Sequence, residues 1–167
     1  MTTSVFVNLP VADLERSKAF YTALGADIVP EFTDENAACI KWDENVFFMI
    51  LKTEYFATFT DKPVLSPDAG AQVITAISRA SKEEVERTRE LVLANGGGEN
   101  KEPQDYGFMT QVSMTDPDGH ILEFMWMDPV AIEKGPEAFM AEQPHDAEHP
   151  EANDRFTDAE EEGWPAR

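Results

Sequence analysis

Apolar and polar positions follow one order near the start of this chain. Residues 5–11 form an apolar run rich in strand-favouring side chains, and apolar residues then recur at helical spacing over residues 13–25, where Asp13 is a candidate N-cap and Gly25 a candidate helix stop. Three short apolar runs separated by acidic turns follow, at residues 26–32, 37–42 and 46–51. Short apolar runs bounded by turns are typical of strands, and a 3.6-residue period is typical of a helix. The pattern predicts the order βαβββ.

The same order returns about 68 residues later. Residues 72–78 predict a strand, and Ser81 with Glu84 forms a capping box that predicts the start of a helix. Three further strands are predicted at residues 99–103, 108–114 and 120–126. We call residues 3–52 module one and residues 71–128 module two. Because each module alone would expose an apolar sheet face, the repeat predicts an α+β domain over residues 1–128, an open barrel with a cleft.

Residues 129–167 differ in composition from the two modules. They are rich in proline and acidic residues and have few apolar side chains. Such a segment cannot offset its ordering entropy by burial, so it is predicted to be an extended or disordered acidic tail. Phe139, Met140, Phe156 and Trp164 are the side chains that could attach it to the domain or to a partner subunit.

The charge of the chain narrows the choice of partners. The formal net charge is −20, of which residues 1–128 carry −12 and residues 129–167 carry −8. This charge repels phosphate backbones and anionic lipid surfaces, and it favours a cationic small molecule over an anionic one. Cys39 is the single cysteine, so no disulfide can form within the chain. With no long apolar run and no signal-like N-terminus, a cytoplasmic location is expected.

Two stretches carry a family resemblance. Residues 11–25 read V-x-D-L-x-x-S-x-x-F-Y-x-x-L-G, and residues 116–124 read D-P-D-G-H-x-x-E-F. Together they resemble the two halves of a glyoxalase / bleomycin-resistance / extradiol-dioxygenase domain, the vicinal oxygen chelate superfamily. The resemblance implies paired βαβββ modules and usually a homodimer. In enzymes of the superfamily it also implies a divalent metal such as nickel, zinc or iron in the cleft.

The resemblance allows the metal site to be checked residue by residue. The family ligands lie on the first and last strands of each module, at positions that fall on Phe6, Phe48, near Gln72 and on Glu123. Phenylalanine cannot ligate a metal, so Gln72 and Glu123 are the possible ligands. One amide and one carboxylate make a poor divalent site. The metal-dependent lyase or isomerase activity of lactoylglutathione-lyase type is therefore less favoured than binding of a small molecule.

Glu123 is the candidate catalytic residue. Strand alternation places it between the apolar side chains of Ile121 and Met125 on one face of the last strand. In a cleft without metal it could be a general base, an anchor for a cationic ligand, or a carboxylate paired with a neighbouring donor. The sequence leaves these three roles open.

The remaining candidates are side chains expected to line the cleft. The ligand-binding candidates are Phe6, Asn8, Phe48, Gln72, Tyr106, Gln111 and Trp126. Residues 53–69 form a loop, with Phe56 and Phe59, that either caps the cleft or lies at a subunit seam. The first functional hypothesis is a glyoxalase-like protein that binds a small molecule. The alternatives are the lyase or isomerase above, a bleomycin-resistance-like protein that sequesters a drug, and a domain that retains no chemistry and binds another protein.

Overall fold

Two four-stranded sheets form the body of the protein. A computed structural model describes residues 3–71 and 73–142. The first sheet has the order β1-β4-β3-β2 and the second the order β5-β8-β7-β6. The elements of module one are β1 (Val5–Val11), α1 (Leu14–Ala23), β2 (Asp27–Val29), β3 (Ala37–Asp43) and β4 (Val46–Lys52), and α2 (Thr53–Phe56) comes directly after them. Those that follow are β5 (Ile74–Ser78), α3 (Lys82–Ala94), β6 (Gly98–Asp105), β7 (Met109–Thr115), β8 (Ile121–Met127), α4 (Pro129–Lys134) and α5 (Pro136–Glu142).

This architecture confirms the α+β class and the duplicated βαβββ order. In each module the first strand pairs in parallel with the last strand, and the other pairings are antiparallel. Neither sheet closes on itself. The open barrel predicted from the repeat is therefore confirmed as two unclosed sheets.

The helices start where the capping signals place them. The side chain of Asp13 accepts a hydrogen bond from the Arg16 backbone N–H at 3.0 Å. Ser81 does the same for Glu84 at 3.2 Å. Side-chain oxygens at this position satisfy backbone donors that have no partner within the helix. The two N-caps are therefore equivalent positions of the repeat, 68 residues apart in the chain.

One hydrophobic core is shared by both modules. It contains Phe20 and Tyr21 of α1, Val85 and Val92 of α3, and one face of each sheet, including Leu9, Ile40, Phe48, Ile50, Val112, Met114, Leu122 and Phe124. Trp42 of the first sheet and Phe124 of the second bring their ring centroids within 6.3 Å. The Arg79 guanidinium carbon lies 4.7 Å from the Phe124 ring centroid and 5.3 Å from that of Trp42. The core-facing sides of the two sheets therefore face each other.

The opposite side of each sheet points away from this core. We call these two surfaces the open faces. Strand alternation and register assign Phe6, Asn8, Ala37, Cys39, Lys41, Phe47, Met49 and Leu51 to the module-one open face. They assign Ile74, Ala76, Met109, Gln111, Ser113, Ile121, Glu123, Met125 and Met127 to the module-two open face. Within one chain, the two open faces are on opposite sides of the shared core.

A buried carboxylate joins the two modules. Asp116, at 2% exposure, accepts a hydrogen bond from the Tyr21 hydroxyl at 2.7 Å and from the backbone N–H groups of Asp118 and His120 at 3.0 and 2.8 Å. Burial raises the pKa of the Tyr21 hydroxyl well above its ordinary value, and the charge of Asp116 raises it further. Burial also raises the pKa of the Asp116 carboxyl. The D-P-D-G-H stretch thus fixes module two onto α1.

The same turn makes further contacts with module one. Asp118 accepts hydrogen bonds from the Ala12 backbone N–H at 2.8 Å and from the Ser17 hydroxyl at 2.9 Å, and forms an ion pair with Arg16 at 2.7 Å. His120 Nε2 lies 2.7 Å from the Pro10 carbonyl oxygen. We call Asp116, Asp118 and His120 with these partners the inter-module clamp. Both family-like stretches therefore meet at one structural contact.

The sequence predicts an extended or disordered segment from residue 129 onward. For residues 129–142 this prediction is wrong. They form α4 and α5, in which Ala131 and Phe139 are buried. Asp128 accepts a hydrogen bond from the Val130 backbone N–H at 2.8 Å and caps α4. A few apolar side chains are enough to order this segment, because they pack on an existing surface at the end of the second sheet. The rest of the predicted tail, with Phe156 and Trp164, lies outside the described residues.

In the described ranges, no helix is both long and apolar enough to cross a membrane.

Candidate ligand-binding site

The module-one open face carries a cavity of about 310 Å³. It is lined by Asn8, Glu31, Phe32, Thr33, Asp34, Ala37, Met49, Leu51, Tyr55 and Phe59. We call it the module-one cavity. Its size lies at the lower end of the range for pockets that hold small organic molecules.

Strand register and two flanking segments build this cavity. Asn8 and Met49 are paired across β1 and β4, and Leu51 is paired with Ala37 across β4 and β3, so these side chains form the floor. One wall is the turn over residues 30–34, whose Thr33 hydroxyl donates a hydrogen bond to the Val29 carbonyl oxygen at 2.9 Å. The other wall is the helical segment over residues 53–59 that follows β4.

The walls combine aromatic rings with carboxylates. Phe32 and Phe59 are 68% and 67% exposed and both line the cavity, so they form an apolar surface beside it. Tyr55 and Phe59 contact edge to face, with ring centroids 5.2 Å apart. The acidic members are Glu31 and Asp34, and the lining contains no lysine or arginine. The cavity is therefore acidic and aromatic.

Asp34 is held in place by its own turn. Its Oδ1 accepts hydrogen bonds from the backbone N–H groups of Asn36 and Ala37 at 2.7 and 3.0 Å. These bonds leave the second carboxylate oxygen without a partner in the described part of the chain. A ligand cation would therefore meet a carboxylate whose position is already fixed.

Two of the residues predicted from the sequence lie on this face. Asn8 lines the cavity. Phe6 is 53% exposed and stacks on Phe47, with centroids 4.8 Å apart and planes 12° apart. The placement of Phe48 in the cleft is wrong, because Phe48 is fully buried in the shared core. Phe47 is the residue paired with Phe6, and a register shift of one position moves a side chain to the other face of a sheet.

Glu123, Gln111 and Tyr106 belong to the other side of the protein. Glu123 is half-buried on the module-two open face, between Ala76 and Ser113 in the register. Gln111 donates from Nε2 to Gln104 Oε1 at 3.3 Å, and the Tyr106 hydroxyl donates to the same oxygen. Within one chain these residues do not meet the module-one cavity.

The other two candidates are placed differently. Trp126 is partly buried and packs against the shared core. Its ring centroid lies 5.6 Å from Lys82 Nζ. The expected cleft position of Trp126 is therefore wrong for the described chain. Gln72 lies outside the described residues.

Within one chain, the donor set does not fit the divalent metal of the family's enzymes. Because the N-caps Asp13 and Ser81 are equivalent, the counterpart of Phe6 in module two is Ile74, two residues beyond Gln72. In the register, Asn8 pairs with Met49 and Ala76 pairs with Glu123. These four positions provide one carboxylate, one amide and two apolar side chains. Across residues 3–71 and 73–142, no three histidine, cysteine, aspartate or glutamate side chains converge. A divalent site needs several such ligands fixed together.

Comparison with known proteins identifies the fold. The chain has the fold of glyoxalase/bleomycin resistance/dioxygenase proteins, which confirms the resemblance seen in the two sequence stretches. Residues 3–42 match the family model for the bleomycin resistance protein-like N-terminal domain. Among curated proteins, no sequence matches the chain significantly.

Solved structures with this fold include proteins of different kinds. A hypothetical protein, SA1046 from S. aureus, is 25% identical with a TM-score of 0.64, over 75% of this chain and 95% of that one. A glyoxalase-related enzyme from Fulvimarina pelagi is 21% identical with a TM-score of 0.64, over 75% and 88%. A bleomycin resistance determinant encoded on the transposon Tn5 is 20% identical with a TM-score of 0.52, over 75% and 98%. The fold therefore leaves the activity of this chain open.

Most of the cavity lining could not be found from the sequence. Glu31 and Phe32 fall in a stretch with the apolar pattern of a strand, whereas β2 ends at Val29 and Pro30 starts a short 3-10 turn. Phe59 lies in the loop expected to cap the cleft or to lie at a subunit seam, and it lines the cavity. The sequence signal for this turn is Pro30, because proline favours the first position of such a turn. The acidic Glu31 and the aromatic Phe32 follow it directly.

Proposed function

We propose that this protein binds a small organic cation with a flat apolar body in the module-one cavity, and that it does so without a metal. The observation that carries the proposal is the lining of the cavity, which pairs Glu31 and Asp34 with Phe32, Tyr55 and Phe59. A protein of this kind sequesters or carries its ligand. The alternative of a metal-dependent lyase or isomerase is less supported, because the donor set does not fit the metal.

The chemistry of the lining favours a cation for two reasons. Aromatic faces attract cations by about 0.5–2 kcal/mol each, depending on how far water is excluded. Carboxylates within about 4 Å of a cation add about 1 kcal/mol in water and more in a partly desolvated cavity. The net charge of −20 also raises the concentration of cations near the surface.

We also propose that two copies of the chain form a homodimer in which the module-one open face of each copy meets the module-two open face of the other. Equivalent residues support this arrangement. On the module-one open face Phe6 is 53% exposed and stacks on Phe47, and on the module-two open face its counterpart Ile74 is 52% exposed and is paired with Ile121. A twofold dimer would bury both apolar pairs twice. The bleomycin-resistance-like relationship is compatible with such a cleft between copies.

In this dimer, Glu123 of one copy would face the module-one cavity of the other. Its neighbours in the register are Ala76 and Ser113, and the described residues provide it with no hydrogen-bond partner. We therefore assign Glu123 the role of an anchoring carboxylate for the cationic ligand, in preference to that of a general base. The ligand would lie between carboxylates from both copies.

The carboxylates of the cavity give the first test. Glu31→Gln and Asp34→Asn each keep the shape of the side chain, and Asp34→Asn keeps the oxygen that caps the turn. We expect each variant to weaken binding of N-methylquinolinium about fivefold, since about 1 kcal/mol of attraction is lost. Isothermal titration calorimetry measures this change.

The matched control lies on the same turn. Glu35 is exposed and does not line the cavity. Glu35→Gln removes the same charge from the same region and should change the affinity less than twofold. Equal effects of all three substitutions would mean that only the general field of the protein attracts the cation, and the proposed site would be wrong.

A further inference from the structure

The segment that follows β8 packs over one end of the module-two open face. Phe108, Ala131 and Phe139 form a small buried cluster beside which Tyr106, Met109, Met127 and Met140 are partly buried. Met109 and Met127 are paired across β7 and β8, and both belong to the module-two open face. Helices α4 and α5 therefore close the end of this face at which β8 finishes.

Module one has the same construction. The chain leaves β4 at Lys52 and places Tyr55 and Phe59 beside Leu51, over the corresponding end of the module-one open face. In that module the result is the wall of a cavity. The two modules thus use the segment after their last strand to bound the open face at the same end.

From this correspondence we infer that α5 is the end wall of the module-two half of the ligand cleft, and that Phe139 and Met140 set how far a bound molecule can extend along that half. The inference rests on the proposed function, because a ligand reaches this wall from the module-one cavity of the other copy. Phe139 is 8% exposed, so it fills its place in the cluster and leaves no room for a ligand.

Met140 packs beside Gly107 at ordinary van der Waals distance. A side chain at Gly107 would lie 3.4 Å from Met140 Sδ, and the φ of Gly107 is +78°, which other residues rarely adopt. Methionine is flexible and polarisable, and Met109, Met125 and Met127 line the face beside it. Met140 can therefore adapt to the shape of a bound group, and the buried ring of Phe139 ends the space behind it.

The groups next to the wall indicate what the end of the ligand contains. Gln104 Oε1 accepts hydrogen bonds from the Tyr106 hydroxyl and from Gln111 Nε2. The Gln104 amide nitrogen and the Gln111 amide oxygen then have no partner in residues 3–71 and 73–142. A donor and an acceptor on paired strands suit a neutral amide. The ligand class is therefore an organic cation that carries a short arm ending in a neutral polar group.

Quinolinium cations with N-linked alkyl carboxamide arms of increasing length test the wall in the full chain. For the unchanged protein we expect affinity to rise with arm length and then to fall by fivefold or more when the arm exceeds the available space. Phe139→Ala should move this limit to a longer arm and leave the affinity for N-methylquinolinium unchanged. Met140→Ala, which removes a half-buried side chain, should move it in the same direction with less effect on stability.

Ile132→Ala is the control, because Ile132 is on α4 but 66% exposed and outside the cluster. The inference is wrong if Phe139→Ala and Met140→Ala, both checked for thermal unfolding, keep the original length limit or change all affinities by one factor. If N-methylquinolinium itself fails to bind the unchanged chain, the proposed function fails first. If N-methylquinolinium binds but the carboxamide series shows no length limit, the inference about the wall is wrong and the proposed function stands.

Discussion

Replacement of Asp116 by alanine is expected to lower the free energy of unfolding by about 3 kcal/mol, because three hydrogen-bond donors lose their acceptor in a buried place. These donors are the Tyr21 hydroxyl and the backbone N–H groups of Asp118 and His120. In a chain of this length the loss corresponds to a fall in Tm of about 6–12 °C. Chemical denaturation and thermal unfolding both measure it.

Two further variants show whether the loss comes from the inter-module clamp. Tyr21→Phe keeps the ring and removes one donor to Asp116, so a smaller loss of about 1–2 kcal/mol is expected. Asp61→Ala removes an exposed carboxylate and should change the stability by less than about 0.5 kcal/mol. An Asp116→Ala variant as stable as Asp61→Ala would contradict the view that the clamp holds the modules together.

The second large effect is expected at Gly97, where α3 meets the second sheet. A side-chain carbon added there would overlap the Thr115 carbonyl oxygen and approach Val92 Cγ1 to 2.5 Å. The carbonyl belongs to the backbone of β7 and cannot rotate away. Gly97→Ala should therefore cost about 3 kcal/mol of stability, at the upper end for an overpacked core.

Gly98 is the control for this prediction. A carbon added there would lie 3.0 Å from Thr115 Oγ1, which belongs to a side chain that can move. Gly98→Ala should cost less than about 1 kcal/mol. If both variants unfold at the same denaturant concentration, steric contact with the backbone of β7 is not what requires a glycine at residue 97.

The fold could be predicted from the sequence because its signals are local. The caps at Asp13 and Ser81 and the apolar runs of β1 and β8 depend on neighbouring residues only, and the repeat of these signals defines the modules. The way the modules pack depends on contacts distant in sequence, such as Tyr21 with Asp116. The sequence therefore indicates two modules and a cleft but not that the open faces point away from each other.

The candidate site was harder to predict for the same reason. The family resemblance directs attention to the metal positions, and the phenylalanines predicted at two of them, Phe6 and Phe48, indicate an incomplete metal site although Glu123 is present. The cavity is built from a turn and a short helical segment that meet over the first sheet, and neither has a sequence pattern of its own. Phe48 was misplaced because a strand with apolar residues on both faces gives no register signal, as in the run over residues 46–50.

The proposal of a binding protein rests on the donor set within the described residues. Glu123 is the one carboxylate at a family ligand position, and its neighbours in the register are not metal ligands. The module-one cavity instead offers carboxylates and aromatic rings. The proposed function therefore combines the fold of these proteins with recognition of a cation in place of metal chelation.

Metal-independent binding of an organic cation is tested most directly by titration of the chelator-treated protein. The two titrants are N-methylquinolinium and quinoline, its uncharged analogue of similar shape. We predict saturable binding of the cation at one site per chain, at least tenfold tighter than quinoline, with no change when a divalent metal is added. Equal affinity for the two compounds, or binding that appears only after nickel, zinc or iron is added, would contradict it.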